Sequence, residues 1–161
     1  MKRFLNYIVR WGLVLIWMGV IFMFSSQLGP QSSSTSEQVI RTVAPIVNPE
    51  FSNLPAQQQE HIVSEWQFTV RKLAHFGVYF VLCLLVYSAL SLYRLRPLPR
   101  AAIALGISVA YAALDEFHQL FVDGRSGQLS DVLIDGAGAL AAVAVILSIG
   151  AILRRRHRSK S

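Results

Sequence analysis

Ionisable side chains are concentrated in one apolar stretch of the chain, Leu114–Leu140. They are Asp115, Glu116, His118, Asp123, Arg125, Asp131 and Asp135. An ionisable group near the centre of a bilayer costs about 2.5 to 3.5 kcal/mol, so such groups usually face the protein interior and pair with one another. The concentration therefore predicts a shared polar site.

Helical spacing groups these side chains into faces. Residues three and four positions apart lie on one side of a helix, which places His118 and Gln119 with Asp115. Asp131 and Asp135 share a face in the same way. If both faces turn inward, the two helix ends and the turn between them contribute to one cluster.

Two other segments supply partners for these acids. Arg71 and His75 are four residues apart, with Lys72 beside Arg71, and Gln27 follows another apolar run. The candidate binding residues are Gln27, Arg71, Lys72, His75, Asp115, Glu116, His118, Gln119, Arg125, Asp131 and Asp135.

Their chemistry suggests binding of an anion. Arg71, Lys72 and Arg125 could engage a phosphate or a carboxylate, and the Arg125 guanidinium is suited to a two-pronged hydrogen bond. The acids would then orient the cations. This first hypothesis is a binding protein without catalytic activity.

A membrane hydrolase or transferase is the alternative. His75, His118 and a carboxylate, first of all Asp115, are ligand types that zinc accepts, and Glu116 or Asp135 could replace Asp115. The sequence has no HExxH motif, no paired E-x-x-H motifs and no G-x-S-x-G elbow. We therefore expect no cofactor.

Two further hypotheses stay open. The cluster could be purely structural, with hydrogen bonds and ion pairs that hold the helices together. A proton-coupled transporter is the weaker possibility, because the inner halves of spans two, three and four carry no ionisable residue that would complete a relay.

The elements that must position these residues are membrane helices. The chain of 161 residues is 53% hydrophobic and only 15% charged, with a mean hydropathy of +0.46. A span needs about 20 apolar residues. We predict an all-α four-helix bundle in one domain, residues 1–161, with spans at about 4–28, 71–93, 100–122 and 131–153.

A cleaved signal peptide is disfavoured for the first span because bulky Phe22, Met23 and Phe24 stand where a peptidase requires small residues.

The distribution of charge predicts the topology. Eleven of the fifteen basic residues lie before or in the first turns of span one, between spans two and three or at the first residue of span three, or after span four. Under the positive-inside rule these segments are cytoplasmic, and so are both termini. All nine acidic residues fall on the opposite side, which predicts an outward-facing polar pocket. The basic tail is read as a topology anchor on anionic lipid rather than a nucleic-acid site.

The segment between spans one and two, about 29–70, is predicted to be extracytoplasmic. "GPQSSSTSEQ" is typical of a flexible loop before a helix that starts near Ser34. A second helix is expected from Asn53 or Pro55, with Ile62, Trp66 and Val70 on its apolar stripe. This amphipathic segment either lies in the outer interface or packs as a lid on the bundle.

Small residues at the start of span four predict close helix packing. They are Gly136, Gly138, Ala141, Ala142 and Ala144. In lipid, small side chains let helix backbones approach, because apolarity alone does not drive association.

Motifs on all four spans resemble the VanZ-like family of bacterial membrane proteins. They are "FSSQ", "RKLAHF", "DEFHQLF", "DGRS" and "LSDVLIDGAG". The pattern departs from that family at Val78, where an acidic or aromatic residue is common nearby, and at Asp135, where Asn is common.

The resemblance implies a cell-envelope context, with the chain as a multi-pass protein of a bacterial inner membrane. The family takes its name from a protein linked to low-level resistance to teicoplanin, a lipoglycopeptide that acts on cell-wall precursors outside the membrane. The expected partners are therefore membrane lipids, a lipid-linked wall precursor or a lipoglycopeptide, with no nucleic acid.

Overall fold

The fold is built from helices that follow one another along the chain. The computed structural model describes residues 2–125 and 127–158. The helices are α1 (Lys2–Ser25), α2 (Gly29–Val47), α3 (Ala56–Leu90), α4 (Pro97–Gln119) and α5 (Leu129–Arg158), and a short 3-10 helix, Phe51–Asn53, precedes α3. Within these two ranges no strand occurs, which confirms the all-α prediction.

In the described ranges, four helices are long and apolar enough to cross a membrane. They cover Arg3–Ser25, Ala56–Leu90, Pro97–Gln119 and Leu129–Arg156. This result confirms, by length and composition, the prediction of four membrane spans. Helices α1, α3 and α4 each end about three residues before the predicted ends of their spans. After α1 the Ser26 Oγ donates to the Phe22 carbonyl, and α4 closes in tight turns such as Phe121 N–H to His118 O.

Helix α3 is much longer than a membrane span. Its 35 residues correspond to about 52 Å at 1.5 Å per residue, whereas the hydrocarbon core is about 30 Å thick. The N-terminal part of α3 therefore extends beyond the apolar span, and α2 packs against it. This helical pair is the amphipathic segment that the sequence predicts.

The Ser-rich segment is helical, and the prediction of a flexible loop there was wrong. Helix α2 begins at Gly29, with Pro30 in its first turn, where the missing N–H costs no hydrogen bond. Inside the helix the hydroxyls donate back to carbonyls one turn earlier, as in Ser36 Oγ to Ser32 O at 3.0 Å. These bonds satisfy the side chains locally, so a serine run is compatible with a helix.

Helix α2 is held on α3 by an apolar cluster and by an ion pair at its edge. Ile40, Ala44, Phe51 and Val63 are buried together, and Trp66 packs against them. Arg41 on α2 pairs with Glu60 on α3 at 2.5 Å. The pair of helices forms one packed unit over the end of the span.

The core of the bundle lies between α3, α4 and α5. Tyr79, Leu82 and Cys83 are fully buried, and they face small residues such as Ala112 and Ala142. Large apolar side chains on the outside, for example Leu15 and Ile16 of α1, are more than half exposed. This distribution is typical of helices that turn large residues to lipid and small residues to one another.

The prediction of close packing at the start of α5 is correct for part of the small-residue run. Gly138 lies directly on the backbone carbonyl of Phe76 in α3, and Ala142 is buried. Ala144, in contrast, is exposed.

Candidate functional site

A cavity opens at the end of the bundle where α1 ends and α5 begins, which we call the polar end. Its volume is about 330 Å³, within the range of small-molecule sites. Residues of α1, α2 and α3 form most of its wall. The lining residues are Ile21, Phe24, Ser25, Gln27, Ser32, Thr35, Ser36, Val39, Val70, Arg71, Ala74, His75, Val78, Asp115 and Arg125.

The lining divides by chemistry. Ile21, Val39 and Val78 are among the side chains that make most of the wall apolar, whereas Arg71 and Arg125 supply cationic groups. The cavity thus combines a surface for a hydrocarbon chain with donors for an anionic head. Five of the sequence-predicted residues line it: Gln27, Arg71, His75, Asp115 and Arg125.

A second, smaller cavity of about 180 Å³ lies beside it. It shares Arg71 and Arg125 with the first cavity, and its other lining residues are Phe68, Lys72, Gln119, Gly124, Gln128 and Asp131. The two guanidiniums therefore stand between the apolar cavity and a polar neighbour.

Arg125 is held in place by the end of α1. Its Nε donates to the Gln27 carbonyl at 3.2 Å and its Nη2 donates to the Phe24 carbonyl at 3.1 Å. Burial, and next the nearby Arg71 guanidinium, lower the pKa of Arg125 from its ordinary value, yet an arginine stays charged at physiological pH. The result is a positioned cation at the cavity.

Arg71 has no carboxylate partner within ion-pair distance among the described residues, and the same is true of Arg125. The Nε of Arg71 is buried without a hydrogen-bond partner in the described part of the chain. Two adjacent guanidiniums repel each other, so an anion between them would be stabilised.

Lys72 is already neutralised. Its ammonium forms an ion pair with Asp131, and both side chains are largely buried. The ammonium also lies 5.1 Å from the centre of the Phe68 ring. This pair joins α3 to the first turn of α5, where a carboxylate also interacts favourably with the helix dipole.

Two acids of α4 are buried at the polar end. Asp115 and Glu116 are each 4% exposed, and Asp115 lies close to Ser25 and Tyr79. Glu116 accepts the backbone N–H of Gln128 at 3.0 Å and the side-chain amide of Gln119 at 3.4 Å. These donors fix the orientation of the Glu116 carboxylate.

Three side chains from three helices converge behind the cavity wall. His75 of α3, Glu116 of α4 and Asp135 of α5 each place a potential ligand atom within 4.8 Å of the others. His75 Nδ1 lies 3.4 Å from Asp135 Oδ1. We call these three residues the triad.

The triad differs from the ligand set named first in the sequence analysis. That set consisted of His75, His118 and Asp115. Of these three residues, His75 alone belongs to the triad that the structure brings together. His118 faces α1 instead: its Nε2 lies 3.2 Å from Ser26 Oγ, and its ring packs on Phe22. Helical spacing correctly put His118 on α4 but could not indicate which neighbour it would face.

The turn between α4 and α5 is tied to the start of α2. Gly124 has a positive φ of 74°, which costs a residue with a Cβ roughly 1 to 2 kcal/mol. Gly29 donates its N–H to the Asp123 carbonyl at 3.2 Å, and it lies so close to the Gly124 backbone that no side chain would fit between them. Because Arg125 directly follows Gly124, the close approach of the two glycines positions Arg125 at the cavity.

Sequence reasoning missed two contributions to the site. The first is the face of α2 formed by Ser32 and Ser36, which lines the cavity. Their four-residue spacing, continued by Ile40, was a signal of that face. The second is Gln128, whose backbone N–H binds Glu116, and no sequence pattern marks a backbone donor.

Comparison with known proteins gives one result that covers most of the chain. A family model described as VanZ/LLP1 matches residues 10–153. No curated protein and no solved structure matches the chain. The matched region includes every residue of the cavity and of the triad.

Proposed function

The chain belongs to the VanZ/LLP1 family of membrane proteins, and from this premise we propose that it binds an anionic amphiphile in the cavity at the polar end. The head group would lie between Arg71 and Arg125, and the hydrocarbon chain would lie along the apolar wall of α1, α2 and α3. Membrane lipids and lipid-linked cell-wall precursors have this chemistry.

The observation that carries the proposal is a pair of cations at one side of an apolar cavity that have no carboxylate within ion-pair distance among the described residues. Arg125 is held by two carbonyl groups, and Arg71 retains a buried donor without a partner among the described residues. A buried donor without a partner costs about 1 to 3 kcal/mol. A phosphate or carboxylate would satisfy it and offset the repulsion between the two guanidiniums.

The proposal includes an orientation. The basic segments would be cytoplasmic and the polar end would face outward from a bacterial inner membrane. Teicoplanin resistance, which is linked to the family's namesake, fits such an orientation because teicoplanin and its targets lie outside the membrane. Binding of a precursor or of the lipid tail of the drug would connect the cavity to that phenotype.

Orientation is testable with introduced cysteines, because the native Cys83 is buried. A membrane-impermeant maleimide added to intact spheroplasts should label Ser52→Cys, an exposed position before α3, and should leave Leu95→Cys unlabelled until the cells are lysed. The reverse pattern would overturn the outward orientation, and the unmodified chain measures the background from Cys83.

Ligand binding is testable with a defined probe, dioctanoyl phosphatidic acid, titrated into the detergent-purified chain. We expect Arg71→Lys and Arg125→Lys each to weaken binding about tenfold or more, which corresponds to about 1.4 kcal/mol, because lysine keeps the charge but loses the planar fork. Arg41→Lys is the matched control, since Arg41 pairs with Glu37 and Glu60 away from the cavity.

Two comparisons complete the binding experiment. Dioctanoyl phosphatidylcholine tests whether the anionic head is required, and inorganic phosphate tests whether the hydrocarbon chain is required. We expect both to bind more weakly than phosphatidic acid. Equal affinity of the wild type and both arginine variants for phosphatidic acid would contradict the proposal.

A further inference from the structure

The triad brings one imidazole and two carboxylates together where three helices meet. His75, Glu116 and Asp135 come from α3, α4 and α5, and their nearest ligand atoms all lie within 4.8 Å of one another. A metal ion bound at about 2.0 to 2.2 Å by each ligand holds such atoms roughly 3 to 4 Å apart. The His75 Nδ1 and Asp135 Oδ1 atoms, 3.4 Å apart, already have such a separation, and a set of ligand atoms that is at most 4.8 Å across needs only a small contraction around an ion.

Asp135 is a second and separate observation. It is 0% exposed, and neither of its carboxylate oxygens has a hydrogen-bond partner in the described part of the chain. His75 Nδ1, which faces it, is buried and also lacks a hydrogen bond within the described residues. Leaving a buried carboxylate without hydrogen bonds is costly, and a bound cation removes that cost.

The neighbouring cations do not fill this role. Lys72 is engaged by Asp131, Arg125 donates to two carbonyl groups, and no arginine or lysine of the described chain lies within ion-pair distance of Glu116 or Asp135. Two buried carboxylates therefore face one imidazole. When both are ionised, their charge matches that of a divalent ion.

Glu116 has the support that metal ligands commonly have. Gln119 and the Gln128 backbone each donate to its carboxylate, which fixes its orientation. From the triad geometry, the buried Asp135 carboxylate without a hydrogen bond in the described chain, and this support, we infer that His75, Glu116 and Asp135 bind one divalent transition-metal ion. The sequence led us to expect no cofactor, and this site is a departure from that expectation.

The ligand types favour a particular class of ion. Imidazole nitrogen with two carboxylates suits zinc, iron or manganese, whereas magnesium and calcium prefer oxygen ligands alone. Three protein ligands leave at least one coordination position for water or a ligand. Because His75 also lines the cavity, the ion would lie at the cavity wall, where it could contact an anionic head group.

The test is metal loading of the full chain, purified in detergent without a histidine tag and stripped with EDTA. After incubation with Zn²⁺ or Mn²⁺ and desalting, elemental analysis should find close to one ion per chain. His75→Ala, Glu116→Gln and Asp135→Asn should each bind the ion at least about tenfold more weakly. Mg²⁺ and Ca²⁺ should bind more weakly than Zn²⁺ to the wild type.

His118→Ala and His61→Ala are the control variants. His118 lies near the polar end but faces Ser26, and His61 is exposed beside Glu65, so both should keep wild-type affinity. Electron paramagnetic resonance gives a measurement that does not depend on the metal content. Mn²⁺ bound to the wild type should show hyperfine coupling between its electron spin and an imidazole nitrogen nucleus, and His75→Ala should lose that coupling.

Several outcomes would overturn the inference. The first is that the wild-type protein, after stripping and reloading, contains no metal. The second is that the wild type and Asp135→Asn contain equal amounts of metal. The third is that, among the variants, only His118→Ala loses metal. Asp135→Asn is nearly isosteric, so it tests the site even if His75→Ala fails to fold. Metal is measured without lipid, and phosphatidic acid binding is measured in EDTA, so failure of this site is distinguishable from failure of the lipid-binding proposal.

Discussion

Replacing Gly138 with alanine is expected to lower the free energy of unfolding by about 3 kcal/mol. Gly138 lies on the backbone carbonyl of Phe76, and a methyl group built there overlaps the carbonyl oxygen. A backbone atom cannot swing aside as a flexible side chain can, so α3 and α5 must separate. The change can be measured as a shift in the SDS concentration that unfolds the detergent-solubilised protein, followed by tryptophan fluorescence.

Gly136→Ala is the matched control, because it lies on the same helix two residues earlier. A Cβ at this position would meet only Val109 Cγ2 at 3.6 Å, an ordinary contact. We expect a change within about 0.5 kcal/mol. Equal effects of the two substitutions would mean that the close approach of α5 to α3 at Gly138 does not contribute to stability.

The Gly138 variant also probes the triad. Asp135 precedes Gly138 by about one turn, and His75 is adjacent to Phe76. Separation of α3 from α5 would therefore move Asp135 away from His75. We expect Gly138→Ala to weaken Zn²⁺ binding and Gly136→Ala to leave it unchanged.

Replacing Lys72 with methionine is the second large expected effect, again a loss of about 3 kcal/mol. Methionine keeps the length of the apolar stem but leaves the Asp131 carboxylate, only 15% exposed, without its cation. A buried charge without a partner is more costly than the intact pair is stabilising. The same SDS titration measures the difference.

Two further variants separate the ion pair from other effects of the substitution. Lys72→Met combined with Asp131→Asn should recover part of the loss, because the stranded charge is then absent. Arg41→Met removes two ion pairs, to Glu37 and Glu60, whose side chains are 35% to 64% exposed, and it should cost less than about 1 kcal/mol. If Lys72→Met is as mild as Arg41→Met, the Lys72–Asp131 pair does not have the buried character assigned here.

The charged side chains at the polar end have different roles. Lys72 and Asp131 pair with each other and join two helices. Arg71 and Arg125 face the cavity without carboxylate partners within ion-pair distance in the described chain. Glu116 and Asp135 meet His75. This division is the reason that an anion site and a cation site are both proposed within one small cluster.

Much of the architecture could be predicted from sequence, because the bilayer imposes a simple rule on composition. Long apolar runs had to be helices, since only a helix satisfies its own backbone hydrogen bonds in lipid. Helical spacing also predicted correctly that Asp115 and Gln119 share a face, as their contact at 3.5 Å shows. The motifs that resemble the family agree with the match over residues 10–153.

Prediction from the local sequence pattern was wrong where a side chain could form its hydrogen bonds in more than one way. The serine run resembled a loop because serine competes with helix formation, but its hydroxyls bind carbonyls within α2. Helix α2 forms a wall of the cavity, and the interpretation of its serines as a loop concealed that role.

Only the tertiary structure decided which charged groups meet. Spacing along a helix indicates which residues share a face, but it does not determine how that helix is rotated against its neighbours. The rotation depends on where backbones can approach, and Gly138 on the Phe76 carbonyl is such a point. That contact brings Asp135 towards His75, while the packing of α4 on α1 turns His118 towards Ser26. The sequence therefore determined four apolar helices with the acidic residues at one end, whereas packing at small residues decided the partners of those acids.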